Sequence, residues 1–229
     1  MLILYQDEVL LAVLKPSGLL VHRGLGADRD TLLGRLGRLG LGPLHPVHRL
    51  DRGTSGVLLL ARTPEAARRL SAAWSEGRCR KRYLALVRGQ PPAQATIDHP
   101  IAVDEAGPKV DAVTTIETLA TVTVAGSPLR EARYSFVRAQ TATGRFHQVR
   151  RHLKHLGHPV VGDANYGRSE HNRLCAERFG LRRLALHALS LELPHPRDGR
   201  GVRIVAPIPD DLGLPLGAMG VDLALALER

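Results

Sequence analysis

Residues 45–56 read HPVHRLDRGTSG, and the apolar run GVLLLA (56–61) continues directly from them. A short apolar run bounded by turn residues is typical of a buried strand, so we predict a strand over 56–61 that follows a tight turn. Asp51 lies between Arg49 and Arg52, and neighbouring cations favour its ionised form. The segment predicts a carboxylate held at a turn. It could act as a nucleophile or general base, or serve only as a turn and capping residue.

Residues 78–83 (RCRKRY) form a second basic segment. If this segment is extended, Lys81 and Tyr83 lie on one face because side chains alternate along a strand. A tyrosine beside three cations can stack on a nucleobase while its neighbours hold phosphates. The alternative is a core tyrosine next to a solvated basic edge. The segment therefore predicts either an RNA contact or an edge of the core.

Residues 144–166 (GRFHQVRRHLKHLGHPVVGDANY) form a third basic segment. Apolar residues recur there at spacings of three and four, which predicts a helix that begins near Gly144 and ends at Gly157. Its apolar stripe is Phe146, Val149, Leu153 and Leu156. Basic residues surround the stripe, so the start of the helix is a candidate cradle for phosphate groups. These basic residues are Arg145, Arg150, Arg151 and Lys154.

The same segment carries four histidines but does not predict a metal site. They are His147, His152, His155 and His158. Arginine and lysine charges between them oppose a dication, and no carboxylate lies among them. We therefore expect no metal ion. Phosphate-loop and dinucleotide-binding glycine patterns are also absent from the sequence, so no nucleotide cofactor is expected.

The composition points to a nucleic-acid partner. The chain of 229 residues has 32 basic and 22 acidic residues, and its formal charge is +10. Of the basic residues, 28 are arginine, whose planar guanidinium suits phosphates and base edges. No apolar run approaches the ~20 residues that span a bilayer, which disfavours a membrane protein. Cys79 and Cys175 form no CxxC pair, so reduced thiols and a cytoplasmic location are expected.

Short strand patterns outnumber helical ones and do not alternate with them regularly. We therefore predict the α+β class, with a mixed, largely antiparallel sheet flanked by helices and loops. The length fits one domain over 1–229. Asp30 is predicted to cap one helix, and Thr63 another with Pro64 at its first position. The polar segment Gln90–Val113 is predicted to be a loop.

Taken together, these segments resemble the motifs of the RluA-type pseudouridine synthases. HRLDRGTSG (48–56) is similar to the family signature, KRY (81–83) to its second motif and GRFHQVR (144–150) to its third. KPSG (15–18) and LHA (186–188) fit the family's order and spacing. The resemblance implies the pseudouridine synthase fold with a central catalytic cleft. It also implies an isomerase that converts a uridine of RNA to pseudouridine without a cofactor.

The resemblance implies roles for individual residues as well. Asp51 would be the catalytic carboxylate that attacks a uridine flipped out of the RNA, and Tyr83 would stack on its uracil. Arg150 would pair with Asp51, with Arg145 as the second candidate for that pairing. Arg49 would fill the space that the flipped uridine leaves. The implied RNA-binding residues are Arg49, Arg52, Thr54, Lys81, Arg145 and Arg151.

Within the family, three less specific features resemble the branch that modifies uridine 65 of tRNA. They are the start MLILYQDE, the lack of a separate S4-like RNA-binding domain, and the run HNRLCAERFGLRRLALHA (171–188). The expected partner is therefore tRNA, bound by a monomer. Two alternatives stay open: the same chemistry on ribosomal RNA, and a non-catalytic RNA-binding module. The second is disfavoured because a pure binder has no need of a carboxylate among phosphates.

Overall fold

A computed structural model describes residues 1–23, 30–103, 107–129 and 132–226. The chain divides into two compact units. The first contains Met1–Lys81 and Ala188–Pro207, and the second contains Arg82–His187 and Ile208–Arg229. The boundaries fall inside two strands, over Arg80–Arg88 and Leu186–Pro194.

The first unit contains β1 (Ile3–Gln6), β2 (Leu10–Lys15), β3 (His45–Pro46), β4 (Ser55–Ala61), most of β11 (Leu186–Pro194) and β12 (Gly201–Val205). Its strand order is β1-β2-β4-β11, with β3 pairing β4 and β12 pairing β11. Every residue of β4 is buried, which confirms the strand predicted from its uninterrupted apolar run. A core of leucine, valine and alanine side chains from β2, β4, β11 and β12 therefore holds the residues that precede β4 in place.

Two helices of the first unit are α1 (Leu32–Arg38) and α2 (Pro64–Ser75). Thr63 caps α2 by accepting a hydrogen bond from the Ala66 amide at 3.1 Å, as predicted. The predicted cap of α1 is wrong by one residue. Thr31 accepts from the Gly34 amide, while the Asp30 carboxylate receives hydrogen bonds from Arg35. An acidic residue can either cap a helix or pair with a cation. Asp30 pairs with the nearby Arg35 and therefore does not cap α1.

Gly56 lets β4 approach the start of β11. Its φ of +122° is a conformation that side-chain-bearing residues avoid. A Cβ added at this position would lie 2.6 Å from the Ala188 backbone nitrogen, inside van der Waals contact. A glycine is therefore required at this residue of β4.

The second unit contains β5 (Arg80–Arg88) apart from its first two residues, β6 (Gln94–Asp98), β7 (Ile101–Ala102), β8 (Lys109–Val110), β9 (Val113–Thr123) and β10 (Arg133–Thr141). The strand order is β5-β10-β9-β6, and β7 pairs with β8 separately. The prediction that Gln90–Val113 is a loop is wrong, because β6 pairs with β9 over five residues. Ile97 is the one buried residue of β6 and Ala95 is partly buried, so the alternation in QATID is short and gives only a weak strand signal in the sequence.

The helices of the second unit are α3 (Gln148–His155), α4 (Ser169–Phe179) and α5 (Asp210–Ala218), followed by a 3₁₀ turn over Leu223–Ala226. Val149 and Leu153 of α3 are buried, as the predicted stripe requires. The predicted start near Gly144 is wrong, because α3 begins four residues later. Phe146 accordingly lies outside the helix, and it is exposed instead of packing in the core.

The α+β class predicted from the sequence is confirmed. The strand pairs whose register the structure gives are antiparallel, and helices accompany the strands in both units. Among the described residues, no helix is long and apolar enough to cross a membrane.

Candidate active site

Asp51 lies in a tight turn of the first unit. The Asp51 carbonyl accepts a hydrogen bond from the Thr54 amide at 3.1 Å, which closes the turn. The Asp51 side chain is partly exposed, whereas Thr54 is buried. The turn thus presents a carboxylate immediately before a strand that is buried along its whole length.

Hydrogen bonds from the segment around Gly18 hold this turn next to the end of β2. The Gly18 amide donates to the Arg52 carbonyl at 2.8 Å, and the Arg52 Nε donates back to the Gly18 carbonyl at 2.9 Å. The Ser17 hydroxyl donates to the Gly53 carbonyl at 2.7 Å. These three bonds join two segments more than thirty residues apart, so the backbone beside Asp51 has little freedom.

A buried lysine adds further hydrogen bonds to the same two segments. Lys15 is fully buried, and its ammonium donates to the carbonyls of Leu19 at 2.7 Å, Pro16 at 2.8 Å and Arg52 at 3.1 Å. A buried cation is tolerated only when its donors are satisfied, as they are here by carbonyl oxygens. Lys15 therefore supports the Asp51 turn from inside the unit.

His48 contacts the interior of the first unit, whereas its neighbour Arg49 is exposed. Its Nε2 accepts a hydrogen bond from the Leu59 amide at 2.9 Å, and its ring stacks on Trp74 at 5.0 Å between centroids. The Lys81 ammonium lies 5.6 Å from the centroid of the Trp74 ring. Burial and the charge of Lys81 lower the pKa of His48 from 6.5 to about 3, so the ring is neutral at physiological pH.

The neutral His48 should make the protein sensitive to mild acid. In the unfolded chain the imidazole regains its ordinary pKa near 6.5. Its contribution to stability is therefore complete above that pH and is lost as the pH falls toward 3. Between pH 7.5 and pH 5 we expect the wild type to lose about 2 kcal/mol of unfolding free energy through this residue.

His48→Gln is the matched variant, because its amide oxygen can still accept from Leu59 and does not titrate. Denaturant unfolding of both proteins at the two pH values measures the difference. An equal loss of stability in the two proteins would contradict this role for His48.

Tyr83 and the arginines around α3 belong to the second unit. Tyr83 is a partly buried residue of β5, and the Nε of its neighbour Arg82 donates to Gln140 at 3.4 Å. Arg145 is exposed, and its Nε donates to the Asp111 carbonyl at 3.2 Å.

Arg150 makes a buried ion pair with Asp163. Its Nε and Nη2 donate to the two carboxylate oxygens at 2.7 and 2.8 Å, and the side chains are only 8% and 0% exposed. Burial alone would raise the pKa of Asp163, but the bonds and charge of Arg150 outweigh this effect and lower it. Asp163 also accepts from the amides of Asn165 and Tyr166, which places the Tyr166 ring 5.2 Å from the guanidinium.

Gln148 organises the loop that leads into α3. Its side-chain oxygen accepts from the Thr143 hydroxyl at 2.7 Å and from the Arg145 amide at 3.0 Å. Its side-chain nitrogen donates to the Val113 carbonyl at 3.0 Å and lies 3.2 Å from the Thr114 hydroxyl. This buried amide therefore fixes the path of residues 143–148.

The structure groups the predicted site residues within their own units. Asp51, Arg52 and Thr54 share one turn in the first unit, next to exposed Arg49. In the second unit, Arg145, Arg150 and Arg151 lie around the start of α3, and Tyr83 lies in β5.

The profile of the RNA pseudouridylate synthase family matches residues 9–155, more than half of the chain. The chain belongs to this family. The pseudouridine synthase is 43% identical over 220 residues to a Salmonella typhimurium protein named tRNA pseudouridine synthase C, covering 89% of this chain and 84% of that one. A Haemophilus ducreyi protein of the same name is 41% identical over 217 residues, covering 89% of each chain.

A solved structure supports the assignment of the fold. Human RNA Pseudouridylate Synthase Domain Containing 4 superposes with a TM-score of 0.75 at 28% identity, covering 97% of this chain and 94% of that one. The chain is thus an isomerase, an RNA pseudouridine synthase. The resemblance of the chain to this family is confirmed.

Three residues of this pseudouridine synthase escaped the sequence-based prediction of the site. Lys15 was noted only as part of KPSG, although a lysine that ends an apolar strand is a signal of a buried cation. Asp163 is the one carboxylate within the third basic segment, but its distance of thirteen residues from Arg150 hides the pairing in the sequence. Gln148 gave no signal, because nothing in the local sequence shows that its amide is buried.

The four histidines of the third basic segment contact neighbouring residues. His147 contacts Tyr166, His152 contacts Thr114, His155 stacks on His99, and His158 contacts the Arg88 carbonyl. Within the part of the chain that the structure describes, no group of three or more potential metal ligands is found.

Proposed function

We propose that this pseudouridine synthase acts on tRNA and isomerises uridine 65. The observation that carries the proposal is the similarity, over nearly nine-tenths of the chain, to proteins named tRNA pseudouridine synthase C. The same proposal includes a monomeric enzyme that works in the cytoplasm, with residues 1–229 as one catalytic domain and no metal or cofactor.

In the proposed reaction Asp51 is the catalytic carboxylate. The bond between uracil N1 and ribose C1′ breaks, the uracil rotates, and C5 bonds to C1′. C5 loses a proton and N1 gains one, so the product is an isomer and no oxidant or energy source is needed. Attack at C1′ and removal of a ribose proton to give a glycal both require an ionised carboxylate. The fastened turn beside Asp51 supports this role, because a catalytic group must be held in position.

We assign the neighbouring steps to Tyr83, Arg150 and Arg49. Tyr83 stacks on the flipped uracil, and Arg49 fills the space that the uridine leaves in the RNA, which offsets part of the cost of unstacking. Arg150 pairs with Asp51 and keeps it ionised.

The proposed RNA contacts combine exposed and buried residues. Arg49, Arg52 and Arg145 are exposed and suited to phosphates, and Arg151 is partly exposed. Thr54 and Lys81 are buried. Their proposed role is therefore to support the RNA-binding residues at the surface. With a formal charge of +10, the protein should bind RNA more weakly as the salt concentration rises.

The deciding experiment incubates the purified protein with an unmodified tRNA transcript and maps new pseudouridine. An unmodified ribosomal RNA transcript is the parallel substrate. We expect one modified tRNA position, uridine 65, and no modification of ribosomal RNA. Modification of ribosomal RNA alone would replace the tRNA assignment, and binding without modification of either RNA would identify a non-catalytic module.

A further inference from the structure

Phe146 is a large aromatic side chain on the surface of a chain that is poor in aromatic residues. It is 39% exposed, although aromatic residues make up only 3% of the sequence. Single exposed apolar residues are ordinary, so exposure alone assigns no role. The arrangement around Phe146 is what distinguishes it.

The imidazole of His147 covers one face of the Phe146 ring. The two ring centroids are 3.8 Å apart and the planes differ by 22°, which is a stacked geometry. Since His147 occupies one face, the exposed area of Phe146 lies on its other face and edge. The part of the ring that His147 leaves uncovered is where a stacking partner could contact it.

His147 is itself held in position. Its Nδ1 lies 3.1 Å from the Tyr166 hydroxyl, and the Tyr166 ring meets it edge-on at 5.7 Å. His147 has φ of 53°, and it is the one residue other than glycine with positive φ in the described ranges. Such a conformation is unfavourable for histidine and persists only where surrounding contacts fix it. The Phe146–His147 stack is consequently formed before any ligand arrives.

Cationic groups flank this stack. Arg145 precedes Phe146 and is anchored through its Nε to the Asp111 carbonyl, and its amide is bound by Gln148. Arg151 lies one turn into α3 and donates to the Ala102 carbonyl at 2.9 Å. An aromatic face beside fixed arginines matches a nucleotide, whose base stacks while its phosphate meets a cation.

We propose that Phe146 is a stacking platform for a second nucleobase of the RNA substrate, distinct from the uridine assigned to Tyr83. This inference rests on the proposed function. A base held there contributes to binding and takes no part in bond breaking. Stacking on a π face tolerates any base, so the platform adds affinity without reading sequence.

Three variants test the platform with the unmodified tRNA transcript. Phe146→Ala removes the ring, Phe146→Leu keeps apolar area without a π face, and Phe146→Trp keeps a larger π face. We expect KM to rise about tenfold in the first two variants and to stay within about twofold of wild type in the third, with kcat unchanged throughout. Unchanged KM in Phe146→Ala, or a fall in kcat with KM unchanged, would overturn the proposal.

Tryptophan fluorescence of Phe146→Trp gives a readout that does not depend on isomerisation. Compared with wild type, whose single Trp74 is partly buried, the variant should lose fluorescence when a base stacks on residue 146. Quenching without pseudouridine formation would refute the proposed function and support the platform. Binding of tRNA without quenching would overturn the platform whatever the isomerisation result, and absence of RNA binding would overturn both.

Discussion

Asp51→Asn is expected to lower the rate of pseudouridine formation by about 10⁴-fold or more, because the amide cannot act as a nucleophile or a base. RNA affinity should stay within about tenfold of wild type and can increase, since the variant removes one negative charge from a surface that meets phosphates. The turn should survive, because its bonds use the backbone of residues 51–54 and the side chains of Lys15 and Ser17. Single-turnover assays and filter binding measure the two quantities.

Asp98→Asn is the matched control for this experiment. It makes the same chemical change at an exposed carboxylate at the end of β6, and we expect wild-type turnover. Normal turnover in Asp51→Asn would refute the proposed mechanism. A loss of RNA binding equal to the loss of rate would instead show that Asp51 acts in binding.

Asp163→Asn should cost about 3 kcal/mol of unfolding free energy or more. The change leaves the buried Arg150 guanidinium beside a neutral amide, and removing one member of a buried ion pair typically costs about 3–5 kcal/mol. Activity should fall as well, because Asp163 fixes both Arg150 and the Tyr166 ring beside it. Denaturant unfolding at pH 7 measures the stability change.

Two further variants test whether the burial of the ion pair causes this loss of stability. Asp211→Asn removes the carboxylate partner of another buried arginine, Arg183, but Asp211 is 57% exposed and water can replace it, so we expect a loss below about 1 kcal/mol. The double variant Arg150→Met with Asp163→Leu removes both charges and should recover part of the lost stability while staying inactive. If Asp163→Asn and Asp211→Asn lose equal unfolding free energy, the Arg150–Asp163 pair contributes no more to stability than an exposed ion pair does.

The parts of the fold that were predictable are those with a strong local signal. The uninterrupted apolar run of β4 and the threonine and proline that start α2 each determine their element within a few residues. By contrast, β6 buries only Ile97 and depends on pairing with residues of β9 that are at least fifteen positions away in sequence. Propensity cannot reveal such a strand, because its hydrogen-bond partner is set by tertiary structure.

The same distinction applies to the candidate site. Asp51 is the catalytic candidate because an acid among arginines and glycines is conspicuous in the sequence, and its role stays a prediction. The buried ion pair of Arg150 could not be predicted from the sequence, because its partner Asp163 lies thirteen residues away and beyond the end of α3. Phe146 was predicted to be in the core because its spacing continues the stripe of α3. His147, in a left-handed conformation, directly precedes the first residue of α3, so Phe146 lies outside the helix and is exposed.

The burial of Lys15 has a practical consequence for handling the enzyme. Of the four lysines, Lys15 and Lys81 are buried, whereas Lys109 and Lys154 are exposed. Amine-reactive dyes and surface-coupling reagents should therefore attach at the latter pair and at the chain's amino terminus. Fluorescent tagging or biosensor immobilisation through amines can thus proceed without modifying the ammonium group beneath the Asp51 turn.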